Sequence, residues 1–273
     1  MAGAALPLIV DSHTVQAGLG REGLVLVDVG AAVRYREGHL PGAVHLDYGT
    51  LIADDGPVQG LLPGTQRLGA ALAASGITPA THVVAYDDEG GPKACRLLWT
   101  LDLLGHAGMS LLNGGLPAWL SEGRPLDNRA PAAAAAAAYP VDVDGDKLAD
   151  RAYILQRLHQ SGTVLLDARS PDEYSGRDLR ARRGGHIPGA VNIEWREAVD
   201  RRRETRLRPA AELQEMYVHA GVTPDKEIIT YCHSHRRSAH TYIVLKALGY
   251  PRLRGYPGSW SDWGNAPDTP VEL

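Results

Sequence analysis

Glu227-Ile228-Ile229-Thr230-Tyr231, followed at once by Cys232-His233-Ser234-His235-Arg236-Arg237-Ser238, is an apolar run that stops at a cysteine and a basic loop. The β-branched and aromatic bias of residues 227–231 predicts a short buried strand. The stretch from Ser238 to Leu248 predicts a helix ended by Gly249. Cys232 therefore stands in a strand–loop–helix turn, where backbone N–H groups converge with the positive end of a helix dipole. Such a place lowers a thiol pKa and makes the thiolate a nucleophile, and Arg236 and Arg237 act in the same direction. A cysteine that merely packs has no use for two arginines and two histidines beside it. Cys95 gives the contrast: it lies in the helical pattern Lys93-Ala94-Cys95-Arg96-Leu97-Leu98-Trp99, with no adjoining loop, and its expected role is packing. Cys232 is the candidate catalytic residue.

The chain repeats itself around that turn. Gly38-His39-Leu40-Pro41-Gly42-Ala43-Val44-His45 returns 147 positions later as Gly185-His186-Ile187-Pro188-Gly189-Ala190-Val191-Asn192. Val25-Leu26-Val27-Asp28-Val29 returns after 139 positions as Val164-Leu165-Leu166-Asp167-Ala168, which localises an insertion to the Arg-rich segment 176–183. Val83-Val84-Ala85-Tyr86-Asp87 corresponds to Ile228-Ile229-Thr230-Tyr231-Cys232 at an offset of 145, and Gly105 and Trp119 correspond to Gly249 and Trp263 at 144. Four anchors in one order imply two homologous domains. The expected division is residues 1–126, a linker at 127–140 containing the alanine run Ala132–Ala138 between Pro131 and Pro140, and residues 141–273.

Each half opens alike, with a short strand (Leu8–Val10; Val141–Val143), a helix of about ten residues and the buried strand at Val25 or Val164. Strands alternating with helical stretches predict an α/β fold, each domain a mainly parallel sheet flanked by helices. In such sheets a reactive loop belongs at the carboxyl end of a strand, where Cys232 falls. The first half carries Asp87 in that place, followed by Asp88-Glu89-Gly90-Gly91-Pro92. An aspartate cannot form a persulfide, so this half is expected to be catalytically silent.

Charge is divided in the same sense. Of 28 Lys and Arg, 8 precede residue 140, against 13 of the 32 Asp and Glu. Ten basic residues fall between Arg177 and Arg208, a local field that would steer a small anion toward Cys232. A nucleic-acid surface is not expected, since interleaved aromatics are missing and the net charge is −4. The hydrophobic fraction of 44% is that of a globular chain, and no run approaches the ~20 apolar residues of a membrane span. The N-terminus lacks the basic and apolar regions of a signal peptide, and two cysteines in dissimilar contexts suggest a reducing compartment. The expected location is cytoplasmic.

Several cysteine chemistries compete for the loop. A phosphatase loop of Cys-x5-Arg type needs an arginine where Ser238 stands, and Arg237 comes one position early, making a smaller cradle. Zinc held by Cys232, His233, His235 and His240 lacks the paired spacing of dependable sites. A dithiol centre lacks its second cysteine. Sulfur transfer by a single cysteine remains.

Asp167-Ala168-Arg169-Ser170-Pro171-Asp172-Glu173-Tyr174, the box Gly185–Ala190, the loop Cys232–Ser238 and Gly258-Ser259-Trp260-Ser261-Asp262-Trp263-Gly264 together resemble the rhodanese family in its tandem, two-domain form, over essentially all 273 residues. The resemblance implies two rhodanese-like domains and a sulfurtransferase that works through a persulfide on Cys232, with a silent N-terminal domain. It implies that the loop of His233, Ser234, His235, Arg236, Arg237 and Ser238 is the sulfur cradle, and that an arginine after the Asp167 strand (Arg169, Arg177 or Arg183) holds the donor. The thiolate would take the outer sulfur of thiosulfate, releasing sulfite, and pass it to cyanide or a thiol; no metal or organic cofactor is required. The expected partners are therefore a small anionic sulfur donor and a thiol or cyanide acceptor, with neither nucleic acid nor membrane. A 3-mercaptopyruvate sulfurtransferase and a persulfide carrier or regulatory binding module are the alternatives. Arg169 is otherwise expected to pair with Asp172 or Glu173, and His39 and His186, present in both halves, to stabilise turns.

Overall fold

The computed structural model describes residues 6–129, 131 and 137–273. Most of the alanine run expected as a linker, Ala132–Ala136, lies outside the described residues. The chain forms two compact units. One takes Met1–Leu51, Pro63–Val143 and Asp200–Leu207; the other takes Ile52–Leu62, Asp144–Val199 and Arg208–Leu273.

The first unit contains β1 (Ile9–Val10), α1 (Ser12–Ala17), β2 (Leu24–Asp28), α2 (Ala32–Glu37) and β3 (Val44–His45). Ile52–Leu62, which belongs to the second unit, contributes the antiparallel hairpin β4 (Ala53–Asp55) and β5 (Val58–Leu61). The first unit resumes with α3 (Thr65–Ala74), β6 (His82–Tyr86), α4 (Pro92–Leu103), β7 (Met109–Leu112) and α5 (Gly115–Ser121). Its sheet has the order β1-β7-β6-β2-β3 and is parallel throughout. Parallel strands covered on both faces read as continuous apolar runs, as Val83-Val84-Ala85 does here. α4 packs on β6 and β7, and every residue of it except Lys93 is buried, Cys95 included. Val10, Leu26, Val84, Tyr86, Leu112 and Trp119 lie in the core of this unit.

The second unit is built from α6 (Arg151–Leu155), β8 (Thr163–Asp167), α7 (Pro171–Tyr174), β9 (Val191–Asn192), α8 (Ala210–His219), β12 (Glu227–Tyr231), α9 (Arg237–Ala247), β13 (Leu253–Gly255) and α10 (Ser259–Trp263). Between β9 and α8 the chain passes through Asp200–Leu207, which belongs to the first unit; the short strands β10 (Val199–Asp200) and β11 (Arg206–Leu207) lie at the ends of that stretch. The sheet order is β13-β12-β8-β9, again parallel. Register places Tyr231 beside Asp167, so the residue before Cys232 and the last residue of β8 end the sheet together. Leu165, Ile187, Ile229, Tyr231, Trp260 and Trp263 form its core.

The expected strand at Val141–Val143 does not form. Tyr139 is 5% exposed, donates its amide to Gly69 O at 3.2 Å and lies 3.0 Å from His106 Nδ1 through its hydroxyl. That anchor keeps the segment with the first unit, and a single bridge from Leu148 to Gly255 serves the edge of β13 instead. The opening helices are also shorter than expected, six residues in α1 and five in α6. His39 and His186 do sit in equivalent turns: each Nδ1 meets the carbonyl of a tyrosine, Tyr35 at 2.7 Å and Tyr174 at 3.0 Å, on which its ring is stacked.

Candidate active site

Cys232 follows the last residue of β12, is 1% exposed and packs against Ala168 and Trp195. Its amide donates to Ser259 Oγ at 3.2 Å, and its carbonyl accepts from the Trp260 amide at 3.0 Å. The loop then turns through His235, whose φ of 55° is in the left-handed region that a non-glycine residue occupies only when its surroundings hold it. His235 Nδ1 lies 2.7 Å from Ser238 Oγ, and both side chains are fully buried. Burial pushes the Cys232 thiol up, but the charge of Arg237, the hydroxyl and amide of Ser238 and the amide of Ser234 outweigh it and hold the thiol below its ordinary value. The Cys95 thiol has no such neighbours, and burial pushes it well up.

Arg237 does not float in this site. Its guanidinium makes a two-pronged contact with the carboxylate of Glu173, at 2.5 and 2.8 Å. Glu173 is itself fixed by a capping box at the start of α7, in which its amide donates to Ser170 Oγ at 3.3 Å and its carboxylate accepts from the Ser170 amide at 3.4 Å. Burial pushes the Glu173 carboxyl up, yet Arg237 and the Ser170 amide bring it down to about 2. His233 is held below the ordinary imidazole value by burial and then by the charge of Arg237, so it stays neutral in neutral solution.

The first half shows what its own loop before α4 holds. Asp87 is fully buried, and its Oδ1 accepts from the amides of Glu89 (2.9 Å) and Gly91 (2.7 Å), its Oδ2 from those of Lys93 (2.8 Å) and Ala94 (3.1 Å). The loop before α4 is thus an amide cradle filled by a carboxylate. At the offset of 145 the same four amides fall at Ser234, Arg236, Ser238 and Ala239. A carboxylate oxygen stands three bonds from its Cα, as the terminal sulfur of a cysteine persulfide does. Asp87 therefore has the reach of such a group; burial pushes its carboxyl up, and the four amides act against that rise.

The three arginines after β8 have other partners. Arg169 is fully buried and forms an ion pair with Asp167 at 2.6 Å, donates to Gly185 O at 2.7 Å and lies over the Trp260 ring. Its partner is Asp167, not the Asp172 or Glu173 expected from proximity along the chain: the backbone turn after β8 folds its guanidinium back onto the strand end. Arg177 is exposed and pairs with Asp172 at 2.5 Å. Arg183 donates to the carbonyls of Thr269 at 2.6 Å and Trp263 at 2.8 Å and clips the C-terminal segment in place. Arg237 is the arginine whose charge acts on the thiol most strongly.

The Rhodanese-like domain profile matches this chain twice, at residues 11–122 and 150–266. The chain belongs to the rhodanese family. It is 46% identical over 272 residues to a thiosulfate sulfurtransferase of Azotobacter vinelandii, covering 99% of this chain and 98% of that one. It is 44% identical over 268 residues to a thiosulfate sulfurtransferase of Pseudomonas aeruginosa, covering 98% of both. Among solved structures, the anaerobic ergothioneine biosynthesis enzyme from Chlorobium limicola superposes with a TM-score of 0.87 at 22% identity, covering 97% of this chain and 70% of that one. At that identity the likeness is one of fold.

Two features of this rhodanese site were not foreseen from the sequence. Ser259 adopts a φ of 50°, and its Oγ accepts from the Cys232 amide while donating to Tyr256 O at 2.7 Å; the glycine at the matching place, Gly115, has φ 56°. The Glu173 clamp had a visible signal, since Ser170-Pro171-Asp172-Glu173 is a capping box with proline at its first helical position. Among the described residues no group of three or more His, Cys, Asp or Glu is arranged to hold a metal ion, and no helix is long and apolar enough to cross a membrane.

Proposed function

We propose that this chain is a sulfurtransferase that moves the outer sulfur of thiosulfate to cyanide or a thiol through a persulfide on Cys232. The observation that carries the reading is the Cys232 thiol, buried yet held below its ordinary pKa by Arg237 and loop amides, in a rhodanese domain whose full-length relatives are thiosulfate sulfurtransferases. The thiolate attacks the sulfane sulfur; the S–S bond of thiosulfate breaks and its electron pair leaves with sulfite. The persulfide anion then lies among the amides of residues 233–239, preorganised dipoles of the kind that Asp87 fills in the other half. Cyanide or a thiol takes the terminal sulfur and the cysteine thiolate returns. In this reading residues 141–273 are catalytic and 1–126 silent, the donor is a small anion, and two unpaired cysteines suit the cytoplasm.

Steady-state release of sulfite from thiosulfate plus cyanide tests the proposal, with Cys232→Ser as the control. Loss of turnover in that variant is expected, together with a mass gain of about 32 Da, one sulfur atom, on Cys232 and none on Cys95 after donor treatment. Turnover that survives Cys232→Ser removes the mechanism. Faster turnover on 3-mercaptopyruvate than on thiosulfate would reassign the donor, and a persulfide that forms without turnover would make the chain a carrier.

A further inference from the structure

The loop of Cys232 is reached by a segment that lies 170 residues earlier in the chain and belongs to the same compact unit, Ile52–Leu62. Ser261 ties the two together. Its amide donates to His233 O at 2.9 Å; its Oγ accepts from the Gln59 amide at 2.8 Å and lies 3.2 Å from Gln59 O. Beside Gln59 stands Gly60, with a φ of 75° and its amide donating to Asp54 Oδ1 across the hairpin at 3.0 Å. A Cβ on Gly60 would fall 2.9 Å from both the carbonyl carbon and the Cβ of Ser234, and closer still to the Ser234 carbonyl oxygen. The hairpin backbone therefore presses directly on the peptide of Ser234, whose own amide helps hold the thiolate.

We propose that Gly60 is a positioning residue for Cys232: the β4–β5 hairpin braces the Ser234 peptide so that the loop amides stay aimed at the sulfur, and only glycine leaves room for that brace. The proposal rests on Cys232 being the reactive thiol. The silent half makes the contact with its glycine on the other partner. At the offset of 145, Gly60 corresponds to Thr205 and His235 to Gly90. Thr205 stands against Gly90, where an added Cβ would lie 2.8 Å from Thr205 Cβ and Oγ1. Close packing of arm on loop demands one glycine in each unit. Placing it in the arm frees the active loop to carry Ser234 and His235, whereas the silent loop gives up a side chain at Gly90.

Gly56 supplies the control. It lies at the tip of the same hairpin with a φ of 55°, and nothing stands within 4 Å of a Cβ added there. Gly60→Ala and Gly56→Ala thus impose similar backbone strain, but only the first collides with Ser234. The readout is the pH titration of thiolate absorbance, each variant measured against the same variant carrying Cys232→Ser, together with sulfite release. Gly60→Ala is expected to raise the thiol midpoint by about one unit, a loss of thiolate approaching tenfold at pH values below the parent midpoint, and to slow sulfite release several-fold there. Gly56→Ala should stay within twofold of the parent on both. Should Gly60→Ala not fold, Ser261→Ala cuts the tie to Gln59 without adding bulk and should raise the midpoint in the same direction. A parent-like titration in the folded variant, or an equal shift in Gly56→Ala, overturns the brace. The titration uses no sulfur donor, so a parent chain that releases no sulfite would sink the sulfurtransferase reading alone.

Discussion

Replacing Arg237 by Gln, alone and together with Glu173→Gln, separates the two tasks of the pair that flanks the thiol. The Glu173 carboxyl is held at about 2 against an ordinary 4.5, and at 1.36 kcal/mol per unit this is on the order of 3 kcal/mol of stability at neutral pH. Because the folded-state pKa is depressed, that contribution is complete above 4.5 and is lost as pH falls through 4.5 toward 2. The Glu173 side chain is only 4% exposed, so removing Arg237 leaves a buried carboxylate without its cation, a loss of roughly 3–5 kcal/mol. Neutralising both partners takes away that penalty, and the double variant should recover most of the difference. Urea unfolding of the second unit at pH 7 and again near pH 3 reads these values. The thiol gives an independent signal: the largest influence lowering it is gone in both variants, so its midpoint should rise by about 1–3 units while stability recovers only in the double. A double variant no more stable than Arg237→Gln, or a thiol that titrates as in the parent, would refute the reasoning.

Two further outcomes are expected. His240 is fully buried on α9, neither ring nitrogen meets a hydrogen-bond partner among the described residues, and burial brings its pKa down to about 4. An unfolded histidine takes up its proton near 6.5, so the folded chain loses stability as pH falls from 6.5 to 4; His240→Leu should flatten that part of the stability–pH curve, and an unchanged slope would show that the imidazole is solvated. Asp87→Ala removes the acceptor of four amide hydrogen bonds in a buried loop, and a loss of about 3 kcal/mol or more from the first unit is expected in thermal unfolding. A variant as stable as the parent would mean that water replaces the carboxylate.

The duplication, the parallel sheets and the strand–loop–helix turn at Cys232 were legible because each is written in local pattern. Residues 227–231 are the observed strand, and the helix after the loop begins one residue earlier than expected, at Arg237. What was not legible depends on distance along the chain. Glu173 and Arg237 are 64 positions apart, and no periodicity connects a capping box to a cysteine loop. Gly60 carried no sign that its neighbour would be Ser234. Arg169 was read against the acids that follow it, whereas the strand end that precedes it holds its partner. The strand expected at Val141–Val143 failed for a related reason: its β propensity was real, but Tyr139, two residues earlier, had already committed the segment elsewhere.

On the mechanism proposed above, the carboxylate of Asp87 limits how much sulfur one chain can carry, because it already takes the four loop amides of the first half. A seat occupied by the chain's own atom from the moment of folding can be neither filled by a donor nor emptied by an acceptor, and no concentration of either will change that. On that mechanism each polypeptide holds at most one transferable sulfur, the one on Cys232, and the loop of the first half keeps its carboxylate throughout.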